Sequence, residues 1–482
     1  MAAKASRLLA IITVALLFTT SACTWNYWTT YGFNNERTGF NPLESTVSPH
    51  NVSRLHQRWA TQLGGAIDAS AVVDPSVSIG GKDYQVAYVG AESGRFAALD
   101  TATGKVLWSR SLGTATVKCE DFPNGVAGVT STAALDIGHD VVYAAGGDGR
   151  IYAMDAATGA NKAGWPVVAT TDPTHEHVWS GLTQNANNLY FAIASYCDIP
   201  SYHGRLGDID ISRHRMDHVF YTADPHGTTD GGIWGWGGAS VDPASGRVYV
   251  TTGNTGVGMY ETAGYSERVV ELTPTLGVLG SYLPPSLTGY DRDFGSTPTL
   301  FTVGSCSLAA AENKDGELFT FRRDDLGAGP VDRYHVGGGQ FIGEPGFATS
   351  TNLMYVTNPG AFGYFVAGVL AFRFDASCHM QLAWETAAGP SNPWSIDSTP
   401  SIGNGVVYFS DGSGKHVYAV DATNGKLLWN SGTAITGAVN GAPTIVGANC
   451  WFHRGTARCM PSDSDAMSVA ALFGGILRRI RK

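Results

Sequence analysis

The chain is short of charge: Asp, Glu, Lys and Arg make up 15% of its 482 residues, and the net charge is −10. A nucleic-acid partner needs a basic surface to meet phosphate, so that class is excluded. There is no Cys-x-x-Cys pair to hold zinc and no Cys-x-x-Cys-His to attach a c-type haem. No two cysteines adjoin, and no charge block or low-complexity linker interrupts residues 24–460. The apolar run Leu8–Phe18 is too short to span a bilayer as a mature helix.

What the chain has is glycine, 61 residues of it, and repetition. Residues 98–108 read ALDTATGKVLW, residues 152–159 read YAMDAATG and residues 418–429 read YAVDATNGKLLW. Each follows a β-branched or aromatic run and a glycine turn. The unit is strand, glycine turn, strand, Asp-x-x-x-Gly turn, then a strand ending on Trp. Such a unit cannot bury its own faces, so its recurrence predicts an all-β propeller. This also explains how a chain of this length avoids splitting into separate cores, since each blade packs only on its neighbours.

Blade openings recur as Ser296-Thr297-Pro298, Ser398-Thr399-Pro400 and Ala442-Pro443, with a degenerate Ser131-Thr132-Ala133. With VYVTTGN (248–254), ELFTF (317–321) and LMYVTN (353–358) they give seven candidate four-stranded blades. Val52–Thr61 reads as an orphan last strand ending near Trp59, and the C-terminus lacks one after Ala442. Joining the two ends predicts an eighth blade and a closed ring with no free sheet edge. A two-sheet sandwich is the alternative, but the Trp-terminated repeats are too numerous and evenly spread for it.

The ends read differently. Lys4 and Arg7 precede the apolar run, then comes Thr20-Ser21-Ala22-Cys23, an export signal over 1–22. Small residues before Cys resemble a bacterial lipobox and predict a lipid on Cys23 at the cell envelope. Thr20 departs from the usual Leu, and simple cleavage after Ala22 is the alternative. The expected order is an opening segment (23–50), the propeller (51–448) and a Cys loop with a tail (449–482). Setting Cys23 aside leaves six cysteines, an even set that suggests disulfides in an exported chain. Six allow fifteen pairings. Order along the blades pairs Cys119 with Cys197 and Cys306 with Cys378, and a short local loop pairs Cys450 with Cys459. In the tail, Val469, Leu472, Phe473, Ile476, Leu477 and Ile480 recur at helical spacing beside Arg478, Arg479, Arg481 and Lys482. That is a basic amphipathic stretch suited to an anionic membrane surface, or else a frayed end.

Four features stand out from the blades. Gly231-Gly232-Ile233-Trp234-Gly235-Trp236 sets Trp faces among glycines, a stacking platform for a flat ring or else a packing peg. Thr251-Thr252-Gly253-Asn254 ends a strand on an amide oxygen, suited to a hard cation or merely to a turn. Asp291-Arg292-Asp293-Phe294 offers carboxylates for a general base or a salt-bridged loop. Asn313-Lys314-Asp315-Gly316 is a hairpin turn with a cation that would neutralise an anionic ligand.

In this order, W-G-W, G-N, D-R-D-F and K-D-G resemble the pyrroloquinoline quinone (PQQ) dehydrogenases, eight-bladed propellers that include methanol and polyvinyl alcohol dehydrogenases. The likeness covers roughly residues 25–447, from WNYWTTYGFNNERTGFNP to the last full repeat. The resemblance implies Trp234 as the floor on which the quinone stacks, and Lys314 at the quinone oxygens. It implies Asp293 as general base, and Asn254, Asp293 and Asp198 as calcium ligands. Asp198 stands where the family's Glu is expected. It implies oxidation of a small or polymeric alcohol, with electrons leaving to a separate acceptor such as a cytochrome or quinone. The family's adjacent-cysteine disulfide and fused haem domain have no counterpart. The alternative is an envelope propeller that keeps the repeat as a binding or assembly scaffold, which has no need of these four motifs.

Overall fold

The computed structural model describes residues 26–447, apart from 120–121, 123, 228, 256–262, 286–291, 338–342, 361–364, 393–396, 413, 436, 438 and 440. It also describes the strand pair Trp451–His453 and Thr456–Arg458. Seven four-stranded antiparallel sheets follow one another, spanning 72–111, 134–168, 183–221, 240–282, 299–335, 346–387 and 401–430. The seventh gains a fifth, parallel strand, Phe40–Asn41. The first strands of consecutive sheets touch one another, so they form the inner wall of a propeller, with the Trp-bearing strands outside. Both faces of the second strands are covered, which is why runs such as Val141–Ala145 and Val406–Ser410 are buried without alternation.

The repeats build the seams between sheets. A hydroxyl at the start of several inner strands donates across the seam to the following one: Ser240 to the Pro298 carbonyl, Thr299 to Pro345, Ser401 to Pro443. On the outside, the Trp108 indole donates to the Ala156 carbonyl at 2.9 Å. Its ring lies where a Cβ on Gly159 would stand, 2.7 Å away, and Gly159 has φ +70°. The Asp-x-x-x-Gly turn therefore needs its glycine twice, for the backbone and for the neighbouring Trp.

Residues 28–41 thread the ring and meet the sheets in order. Trp28 exchanges backbone bonds with Val73, and the Thr29 carbonyl accepts from Leu135. Thr30 donates to Leu182 and Asn35 to Gln184. The Asn35, Glu36, Thr38 and Gly39 carbonyls then accept from Val241, Leu300, Phe347 and Ile402. At the centre Arg37 is fully buried, donating to Thr30, Tyr31, Thr183 and Ala239.

The expected eighth sheet does not appear among the described residues. Val52–Arg54 is a turn of 3-10 helix, and residues 55–63 carry no strand. The segment still docks as a last strand would. Trp59 donates to the Thr101 carbonyl, its ring lies against Gly104, and Trp429 donates to Leu55. Residues 442–447 stand in the inner seam, where Thr444 donates to Ala71 and Gln85 to the Gly447 carbonyl. Disulfides join Cys119 to Cys197 and Cys306 to Cys378. Cys23, the leader, the Cys450–Cys459 pairing and the basic tail lie outside the described residues.

Candidate active site

In each antiparallel sheet the start of the inner strand and the end of the second strand lie at the same rim of the ring. Trp234 leads into the inner strand of sheet 4, Ser240–Val241, and Asn254 follows its second strand, Val248–Thr251. Asp293 leads into the inner strand of sheet 5, Thr299–Val303, and Lys314 follows its second strand, Cys306–Glu312. Four residues spread through two blades thus arrive at one rim.

Three of them touch. The Trp234 indole donates to Asp293 Oδ2 at 2.8 Å, and Lys314 Nζ lies 2.9 Å from Asp293 Oδ1. Lys314 Nζ also sits over the Trp234 ring, 4.6 Å from its centre. Asp293 is only 2% exposed. A charge this deep needs a partner, and Lys314 is it. Asn254 stands beside them: a Cβ on the preceding Gly253 would lie 3.1 Å from Asp293 Oδ2. Asn254 Nδ2 is buried with no hydrogen-bond partner among the described residues. Arg292 turns away to Glu267, 2.9 Å distant, and Asp291 lies outside the described residues.

Asp198, expected as the acidic metal ligand, does not join this group directly. It is exposed, and its Oδ1 accepts from Tyr202 Oη at 2.8 Å. The cause is local: Cys197 and Asp198 sit in a tight turn with φ of 53° and 45°, which redirects the side chain. Tyr202 then abuts Gly232, so Asp198 meets the cluster through a tyrosine. Among the described residues no three His, Cys, Asp or Glu side chains gather as a metal cage.

One wall escapes the motif reading. Trp179 meets Trp234 edge-on at 6.3 Å and packs on Tyr196 at 4.5 Å, and Tyr196 packs on His177 and Phe122 at 4.4 Å. The Cys119–Cys197 disulfide ties this wall together. His177 Nδ1 accepts from the Tyr196 amide, which assigns the proton to Nε2. Burial pushes the His177 pKa down to about 4, so the ring is neutral at pH 7. Both His177 Nε2 and Trp179 Nε1 are buried without a partner among the described residues. The available signal was position: Trp179 immediately precedes Ser180, a blade opening like those at 296 and 398.

The site therefore offers a flat aromatic face, a cation, a carboxylate and a surplus of buried donors. Those donors fit a planar, acceptor-rich, anionic ring system, which would satisfy them. The fold is a β-propeller of the kind found in quinone dehydrogenases. The family described as "PQQ: Glucose/ethanol/alcohol dehydrogenase, beta-propeller domain" matches residues 28–178. A polyvinylalcohol dehydrogenase of Pseudomonas sp is 25% identical over 507 residues, covering 90% of this chain and 73% of that protein. Europium-containing methanol dehydrogenase superposes with a TM-score of 0.66 at 17% identity, covering 87% of each chain. Quinohemoprotein alcohol dehydrogenase from Comamonas testosteroni gives 0.64 at 17%, covering 88% of this chain and 75% of that one. The match over residues 28–178 and the likeness to a polyvinylalcohol dehydrogenase support a PQQ-dependent dehydrogenase β-propeller family for this chain.

Proposed function

We propose that this protein is a PQQ-dependent alcohol dehydrogenase, oxidising an alcohol to an aldehyde or ketone. The observation that carries the reading is the contact triangle of Trp234, Asp293 and Lys314 beside the unpartnered Asn254 amide. When bound, the quinone supplies the two-electron acceptor, which is the redox chemistry no side chain here provides. Trp234 would hold the ring by stacking, and Lys314 would donate to the cofactor's oxygens. The Trp179–Tyr196 wall excludes water from one side. Asp293 would take the proton of the substrate hydroxyl, leaving the carbinol hydride to the two-electron acceptor. A separate acceptor would be needed to carry the electrons onward.

Calcium suits this site in part. Asn254 and Asp293 supply protein oxygens, but the ion takes six to eight. The remaining ligands would come from cofactor and water, with Asp198 recruited only if its turn rearranges. The likeness to a polyvinylalcohol dehydrogenase favours secondary or polymeric alcohols. The leader supports export, with Cys23 as the lipid-bearing N-terminus. We further read the wedge between sheets 7 and 1 as the place of an eighth blade, supported by Trp59 and Thr444 docking in register with the repeats.

The test is dye-linked oxidation of alcohols by purified protein supplied with PQQ and calcium, with the absorbance of the bound cofactor recorded. Turnover that needs both the quinone and the alcohol supports the reading. A protein that neither binds quinone nor turns over would leave the scaffold reading.

A further inference from the structure

Sheet 1 repeats the geometry of sheet 5 with a different charge. Asp68 leads into its inner strand, Val72–Ile79, as Asp293 does in sheet 5. Glu92 follows its second strand, Lys82–Gly90, where sheet 5 places Lys314. An acid thus faces an acid where the active-site sheet pairs an acid with a cation.

Glu92 is 7% exposed and tightly held. Its Oε2 accepts from the Gly128 amide at 2.5 Å and its Oε1 from Thr130 Oγ1 at 2.7 Å. Thr130 spends its one proton on Glu92, so Tyr196 Oη donates to Thr130 in turn. Tyr196 is the ring that packs on Trp179, which abuts Trp234. The carboxyl is therefore wired to the wall of the cofactor pocket. Asp68 is its charged neighbour and also its hydrogen-bond partner, and two carboxyls bond to each other only by sharing a proton. Burial, then the charge of Asp68, holds the Glu92 carboxyl well above the usual carboxylate range. On the far side of Tyr196 stands neutral His177. The unpartnered donors His177 Nε2 and Trp179 Nε1 independently point to an acceptor arriving at this wall.

We propose that Glu92 and Asp68 share one proton, and that this pair makes filling of the Trp234 pocket by an acidic quinone proton-linked. The proposal rests on the functional reading above for the nature of the cofactor. With the proton in place the pair carries one negative charge behind the Thr130–Tyr196–Trp179 wall of the pocket. Without it the pair carries two and repels the ligand. Affinity therefore falls as the shared proton is lost, by at most about tenfold per pH unit, and levels off at the affinity of the doubly charged pair.

Two measurements on the cofactor-free full chain read the proton itself. The infrared spectrum of wild type at neutral pH should show a protonated carboxyl that Glu92→Gln lacks. Because the folded pKa is raised, wild-type stability should fall as pH rises from the ordinary carboxylate range through the raised value. In Glu92→Gln that part of the fall should vanish. Quinone binding, followed by tryptophan fluorescence between about pH 6 and pH 9, should weaken with pH in wild type and stay flat in Glu92→Gln. Asp68→Asn, at a half-exposed position, serves if Glu92→Gln fails to fold. It should likewise flatten the binding profile. An absent carboxyl band in wild type, or a pH dependence that both variants retain, overturns the proposal. If quinone binds wild type at no pH, the functional reading and the linkage fall together, while the infrared band still decides the shared proton.

Discussion

Lys314 holds Asp293 by one oxygen, Nζ to Oδ1 at 2.9 Å, and so leaves the other to the Trp234 indole at 2.8 Å. Both carboxylate oxygens are thereby aimed before any ligand arrives. The buried acid is oriented by the residue on which the cofactor would stack, and its charge is balanced by the residue that would meet the cofactor's oxygens. A base fixed in this way needs little rearrangement to take a proton.

Asp293→Asn keeps the shape and the Trp234 hydrogen bond but removes the proton acceptor. Turnover with supplied quinone should drop by about a hundredfold or more, the usual contribution of a positioned base. The absorbance of bound cofactor should remain. Unchanged dye-linked oxidation in this variant would assign the proton transfer to another group.

Lys314→Met tests the other half of the pair. It leaves a carboxylate buried without its cation, and removing one partner of a buried pair costs about 3–5 kcal/mol. Lys314 is itself 14% exposed, which places the expected loss at the lower end. Urea unfolding of the cofactor-free protein measures it. Asp293→Asn in the same background should recover most of the loss, because the uncompensated charge is then gone. Equal midpoints for wild type and Lys314→Met would mean that the ion pair contributes nothing in solution.

The residues of sheets 4 and 5 were legible because both determinants are local. In sheet 5 a Ser-Thr-Pro opening marks the inner strand, the segment before it stands at the rim, and the turn after the second strand returns there. The direction of the Asp198 side chain was not legible for the converse reason: its turn has positive φ at two residues, so strand alternation says nothing about where it goes. Val52–Thr61 has the composition of a strand but finds no ladder among the described residues, since composition does not reveal whether a partner edge is free. Asp68 and Glu92 belong to none of the motifs, and only the fold brings them together. The course of residues 28–41 past all seven sheets was invisible, because its bonds span up to several hundred residues of sequence.

Arg37 is the centre of that course, and its removal should loosen the whole ring. Arg37→Met preserves bulk but leaves the Thr30 and Thr183 hydroxyls and the Tyr31 carbonyl without their donor, beside the buried Glu344. Breaking such a network costs about 3–5 kcal/mol. Thermal unfolding should move down while the transition stays single, because one segment touches every sheet. A two-step transition in wild type would show instead that the sheets do not share this clasp.

The wedge between sheets 7 and 1 decides whether the ring closes as one unit. Its outer side is held by Trp59, which donates to Thr101 and lies on Gly104 as Trp108 lies on Gly159. Its inner side is held by Thr444, whose hydroxyl donates to Ala71 in the series formed by Ser240, Thr299 and Ser401. The two contacts come from opposite ends of the chain. Trp59→Ala removes a half-buried indole and should cost about 2 kcal/mol. Thr444→Val removes one buried hydrogen bond and should cost about 1 kcal/mol. If both ends belong to one closing blade, losing either should already release the other. The double variant should then fall short of the sum by about 1 kcal/mol, the size of coupling seen between residues of one packed unit. If the losses simply add, the ends are pinned separately and the wedge is no blade. Chemical denaturation of the four proteins in one cycle gives the answer without reference to cofactor or activity.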